Sequence, residues 1–154
     1  ALLYLVRHAK AGSRSRWDED DRLRPLTPAG HRQAVAIAER LAEHTAGGRL
    51  LSSPFQRCVE TLQPLAKATG LAIETDERLS EGAIVGPVLE LLATLPEGSV
   101  LCSHGDVIPD TMQALQRRGT EFRGEPDWRK GSVWVLRRED GVITRAKAWA
   151  PPDE

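Results

Sequence analysis

Two histidines stand at the ends of short apolar runs, each beside residues suited to handling an anion. Leu2-Leu3-Tyr4-Leu5-Val6 delivers Arg7 and His8, and Ser99-Val100-Leu101-Cys102-Ser103 delivers His104. Between them, Leu50-Leu51-Ser52-Ser53-Pro54 leads into a helix-like stretch that carries Arg57. An imidazole with a free nitrogen is a nucleophile. A guanidinium is a planar fork of donors matched to phosphate oxygens. Two histidines and two arginines brought to one crevice suit a phosphoryl group, with one imidazole to attack and cations to hold the oxygens.

The elements that must position them follow a repeated strand-helix order. Short apolar runs broken by small residues and followed by helical periodicity read as parallel strands entering βα turns. Ligands bind outside the carboxyl ends of such strands. After the first strand, residues 9–26 read as a polar loop. Thr27-Pro28 then marks a helix start, with Ala34, Ile37, Ala38 and Leu41 on one apolar face. Arg49 to Ser52 is a second strand, and Ser53-Pro54 repeats the cap-and-proline signal before the stripe Phe55, Val59, Leu62, Ala66. Leu71 to Thr75 reads as a strand, and Val88, Leu91, Leu92 and Leu95 as a third helix. Ser99 to Cys102 forms the next strand, and a fourth helix runs from near Ile108 to Arg118. Val133 to Leu136, Asp140-Gly141 and Val142 to Thr144 read as a hairpin. The fold expected is α/β: three layers, α/β/α, around a mostly parallel sheet with a C-terminal antiparallel hairpin. Residues 1–150 read as one domain and 151–154 as a loose tail.

These motifs, in this order and each at a strand end, resemble the histidine phosphatase superfamily, which includes cofactor-dependent phosphoglycerate mutases and acid phosphatases. The likeness runs from the first strand through Ser103-His104-Gly105. The short chain and Arg24-Pro25-Leu26-Thr27 most resemble the small SixA-like branch, named for a phosphohistidine phosphatase. The resemblance implies a phosphoglycerate mutase-like fold, His8 as the phosphoryl-accepting nucleophile and His104 as a second phosphate-pocket histidine. Ala9 stands where the family more often has glycine. Arg7 and Arg57 are the expected phosphate clamps, Arg57 one turn into a helix whose N-terminus already favours anions. Gly105 allows close approach to a bound oxygen. Glu81, in Leu79-Ser80-Glu81-Gly82, lies where relatives acting on phosphomonoesters carry their proton donor, with Glu77 and Asp106 as weaker substitutes. Phosphohistidine phosphatases can do without that acid, since an imidazole leaves more readily than an alkoxide.

The remaining residues carry blander readings. His31 and His44 lie on predicted helices and read as solvated, while Ser52 and Ser53 read as cap and turn residues. Lys10, Arg14, Arg16, Arg22 and Arg24 can receive a second anionic group or a phosphoprotein surface, offset by the solvated acids Asp18 to Asp21. Other phosphate chemistries fail on their motifs. No G-x-x-x-x-G-K-[ST] occurs, and neither Cys58 nor Cys102 has an arginine six positions on. No His, Cys and carboxylate cluster has metal-ligand spacing, so a metal-free enzyme without cofactor is expected.

Composition narrows the setting. The 154 residues are 40% hydrophobic and 28% charged, an ordinary globular balance. A formal net charge of −1 gives no basic face for nucleic acid. No apolar stretch approaches a bilayer span, and no signal peptide is visible. Two cysteines read as small buried residues in a reducing compartment, so a cytoplasmic location is expected. The start at Ala1 points to trimming or to a domain cut from a longer chain, for example a fusion with a nucleotide-processing domain. A mutase is disfavoured by the short chain. The expected activity is hydrolysis of a phosphomonoester or phosphohistidine, on a small molecule or a phosphoprotein. The rival is a phosphate-recognition module without turnover, which has no need of the nucleophile.

Overall fold

The first strand, β1 (Leu2–Arg7), runs through the middle of a seven-stranded sheet, buried on both faces from Leu3 to Val6. A strand covered on both sides needs an unbroken apolar run, which is what this segment supplies. Its side chains alternate between two cores: Leu3 and Leu5 into one, Tyr4 and Val6 into the other. The computed structural model describes residues 1–152. Of the 151–154 tail, Asp153 and Glu154 lie outside the described residues.

Two helices cover each face. On one side α1 (Pro28–Leu41) and α2 (Gln56–Thr69) bury Ile37, Ala38, Leu41, Cys58, Leu62 and Leu65 against Tyr4 and Val6. On the other, α3 (Val85–Thr94) and α4 (Val107–Arg117) bury Val88, Leu92, Ile108 and Met112 against Leu3 and Leu5. Between these helices run β2 (Leu50–Ser52), β3 (Ile73–Thr75) and β4 (Val100–Ser103). Three strands follow: β5 (Glu121–Arg123), β6 (Val133–Glu139) and β7 (Val142–Trp149). The order across the sheet is β3-β2-β4-β1-β6-β7-β5. Strands β1 to β4 pair in parallel, β6 is antiparallel to both β1 and β7, and β5 joins β7 in parallel. This is the expected three-layer architecture, mostly parallel with an antiparallel hairpin.

Three details depart from the sequence reading. The hairpin is longer than expected, because β7 continues to Trp149 beside β6. Strand β5 was not anticipated. It is an edge strand of three residues with only Phe122 partly packed on the core, too short to show alternation. Helix α2 starts at Gln56 rather than at Ser53-Pro54; its N-cap position is Phe55, which makes no side-chain cap.

Register places the chemistry. In the β1–β4 ladder Arg7 faces Ser103, so His8 and His104 emerge side by side at the carboxyl ends. In the β2–β4 ladder Ser52 faces Cys102, which sets Ser53 next to them. The segment after His8 is held down by α1. Thr27 caps that helix by accepting from the Gly30 N–H at 3.0 Å, and a Cβ on Gly30 would run into the Lys10 carbonyl.

Candidate active site

His8 is buried, 5% exposed, and its ring is oriented by its own chain. Its Nδ1 lies 2.8 Å from the Ala9 carbonyl oxygen. A carbonyl only accepts, so Nδ1 carries the proton and Nε2 keeps its lone pair. Burial lowers the imidazole pKa from 6.5 to about 3. The Ala9 carbonyl opposes that shift, while His104, Arg57 and Arg7 add to it. The ring is therefore neutral at physiological pH. The backbone on which it stands is pinned: Thr61 Oγ1 accepts the Ala9 N–H at 3.0 Å and donates to the Arg57 carbonyl at 2.7 Å.

His104 packs edge-on to His8, with ring centroids 5.5 Å apart, and on its other side against Phe55 at 4.8 Å. Its Nε2 lies 2.8 Å from Ser53 Oγ. That hydroxyl also accepts the Phe55 N–H at 3.2 Å, and with a second lone pair and a proton it can serve either tautomer of the ring. The second nitrogen, Nδ1, is buried and has no hydrogen-bond partner. When it carries the ring proton, it is a donor open to an anionic oxygen. Ser53, read from sequence as a cap, thus also engages one nitrogen of His104. Cys58 Sγ also approaches Nε2, at 3.6 Å.

The arginines are held in two ways. Arg7 donates to the Trp128 carbonyl at 2.6 Å, while its buried Nε has no partner. Its guanidinium lies over Gly105, where a Cβ would come within 2.7 Å. A side chain at this position would push the Arg7 head group aside, a demand for glycine beside the close approach to a ligand expected from sequence. Arg57 is fully buried and donates to the Asp21 carbonyl at 2.9 Å and to Asp21 Oδ2 at 3.0 Å. Glu81 Oε1 lies 3.6 Å from Arg57 and accepts from Arg14 at 2.8 Å. Burial pushes the Asp21 carboxyl up, but Arg24 and Arg57 outweigh it and hold it below its usual range. Asp21 is thus no solvated loop acid, unlike the exposed Asp18, Glu19 and Asp20.

Arg7, His8, Arg14, Arg24, Glu81 and Asp106 line an open cavity of about 430 Å³. Arg57 and His104 are buried behind that wall. Of the three candidate acids, Glu81 and Asp106 border the pocket, and Glu81 pairs with Arg14 and Arg57 there. Asp106 accepts the Gly82 and Val107 N–H groups, and Glu77 is engaged with Arg22 and Ser80 away from the pocket. Of the loop cations, Arg24 is buried on Gly12 and Asp21, while Arg16 stays exposed. His31 and His44 are exposed, as expected, and both cysteines are buried. Among the described residues no group of His, Cys, Asp and Glu could hold a metal ion. No helix among them is long and apolar enough to cross a membrane.

The histidine phosphatase superfamily (branch 1) matches residues 3–87. An 8-oxo-(d)GTP phosphatase of Mycolicibacterium smegmatis is 36% identical over 157 residues, covering 97% of this chain and 48% of that protein. The chain therefore spans about half of that relative's length. Among solved structures, one assigned as the phosphohistidine phosphatase SixA from Agrobacterium tumefaciens superposes with a TM-score of 0.68 at 27% identity, covering 88% of this chain and 90% of that one. The protein histidine phosphatase SixA complexed with tungstate superposes with a TM-score of 0.73 at 22% identity, covering 92% of each chain, a likeness of fold.

Proposed function

The chain belongs to the histidine phosphatase superfamily, and from that premise we propose that residues 1–150 form one phosphatase domain working through a phosphohistidine on His8. His8 Nε2 attacks phosphorus in line, the bond to the leaving oxygen or nitrogen breaks, and the phosphoryl group passes to the ring. Arg7, Arg57 and the open Nδ1–H of His104 bind the three equatorial oxygens as charge builds on them. Water then attacks the phosphohistidine, releasing orthophosphate and restoring the neutral imidazole. The guanidinium groups supply the positive charge that metal ions supply at other phosphoryl-transfer sites.

The observation that carries this reading is the His8 Nδ1 contact with Ala9, with the low imidazole pKa beside it. A module that merely bound phosphate would gain from a protonated histidine at this position. A neutral ring with a directed lone pair serves attack. Glu81 has a conditional part. With Arg14 on its carboxylate it is an acceptor, so protonating a leaving group requires that an arriving phosphoryl group first displace it from Arg14 and Arg57. Phosphohistidine and aryl phosphates need little such help.

Brief incubation with a radiolabelled phosphoryl donor tests the proposal. Wild type should retain acid-labile, base-stable label, His8→Ala should retain none, and EDTA should leave turnover intact. Label persisting in His8→Ala would refute the nucleophile assignment.

A further inference from the structure

A second cleft, of about 710 Å³, adjoins the phosphoryl pocket and is lined by Arg7, Lys10, Thr27, Gln33, Arg129 and Lys130 among others. Arg7 and Lys130 border both spaces. Lys130 is tied closely to the nucleophile's backbone. The next residue, Gly131, donates its N–H to the carbonyls of both Arg7 and His8 at 3.1 Å. Gln33 clips the same loop from the other side, donating to the Lys130 carbonyl at 3.3 Å while accepting the Lys10 N–H at 3.0 Å. Gly131 lies against the Gln33 amide with φ of +86°, so the turn cannot easily be rebuilt with a side chain there.

This anchored loop holds a cation where cations repel. Lys130 is half-buried, and burial lowers its ammonium pKa, followed by the charges of Arg7, Arg24, Arg57 and Arg14. Its neighbour Arg129 is already paired with Asp127, at 2.6 Å. None of the ion pairs among the described residues involves Lys130. A partly desolvated ammonium on an anchored loop, without an acid partner among the described residues, is costly unless a ligand brings the anion. The attacked phosphoryl group already has Arg7, Arg57 and His104.

Resting on the phosphatase reading above, we propose that Lys130 and Arg7 form a subsite for a second phosphoryl group, and that the preferred substrate is a small diphosphate-bearing molecule. Arg7 lies between the two spaces, so one guanidinium can touch both the attacked phosphoryl group and its neighbour. That sharing fits adjacent phosphoryl groups better than two groups at opposite ends of a sugar.

Calorimetric titration with the non-hydrolysable probes methylphosphonate and methylenebisphosphonate tests the subsite without turnover. Wild type should bind the bisphosphonate about tenfold or more tightly than the monophosphonate, the size of one charge-assisted hydrogen bond. Lys130→Ala should bring the two affinities close together, and Lys130→Arg should restore the preference. A preference absent in wild type, or undiminished in Lys130→Ala, would overturn the proposal while leaving the phosphate pocket intact. So would tighter binding of a peptide carrying a non-hydrolysable phosphonate mimic of phosphohistidine than of the bisphosphonate. Failure of both phosphonates to bind would overturn the phosphate-pocket reading along with the subsite.

Discussion

His8 should make the folded protein sensitive to mild acid. Burial holds its imidazole pKa near 3, whereas in the unfolded chain the same group takes a proton at about 6.5. Between those values the unfolded state binds the proton and the folded state does not. Stability from this group is therefore complete above about pH 6.5 and is lost as pH falls toward about 3. Well inside that window the slope is about 1.4 kcal/mol per pH unit, so moving from pH 7 to pH 5 costs about 2 kcal/mol through His8 alone. His8→Asn removes the titrating group and keeps a donor able to face the Ala9 carbonyl. Urea midpoints at pH 7 and pH 5, measured on both proteins, should show wild type losing about 2 kcal/mol more than the variant. Equal losses would mean that His8 is protonated in the folded protein, and the argument for a neutral nucleophile would fail with it.

Three other substitutions probe the remaining groups. Arg57→Ala should lower the rate by roughly 10²-fold, about 3 kcal/mol of transition-state stabilisation, and weaken inhibition by vanadate in parallel. Gly105→Ala places a methyl 2.7 Å from the Arg7 guanidinium, so that mobile group must shift. Activity should fall by about 10²-fold, as a misplacement of this size does, while the melting temperature changes little; full activity would show that Arg7 need not sit over Gly105. Glu81→Gln should slow hydrolysis of alkyl phosphates far more than of aryl phosphates, steepening the dependence on leaving-group pKa. Parallel plots for wild type and variant would remove Glu81 from proton transfer.

The sequence was most legible where a residue's place follows from its own strand. Arg7, His8 and His104 sit at the ends of apolar runs buried on both faces, and such runs read directly as central strands. Edge elements were harder. Leu71 to Thr75 still read as a strand, of which 73–75 form β3, but the mostly exposed 121–123 did not, since three residues cannot display a period. The contacts that tune the site were not legible at all. Ser53 meets His104 across 51 positions, and Asp21 meets Arg57 across 36. Nothing in Asp18-Glu19-Asp20-Asp21 distinguishes the last acid from its solvated neighbours; only the folding of its short turn against α2 does so. Lys130 carried no motif, because its setting is made by a loop pinned to the backbone of Arg7 and His8.

Those hidden contacts also decide how the pocket accepts its ligand. A guanidinium as buried as Arg57 cannot be left without an anion, and Asp21 and Glu81 serve. The partners are unequal. The Arg57 side chain is 0% exposed, whereas those of Asp21 and Glu81 are 34% and 33% exposed. On the proposed function, an arriving phosphoryl group exchanges with the carboxylates, which can turn toward water, while the cation stays fixed. Binding would then be a swap of one anion for another, gaining less affinity than bare arginines would give. The same swap would free Glu81 from Arg14 at the moment a leaving group is nearby. Whether that freed carboxyl matters depends on the basicity of the leaving atom, so one pocket geometry can serve alkyl esters with its help and phosphohistidine without it.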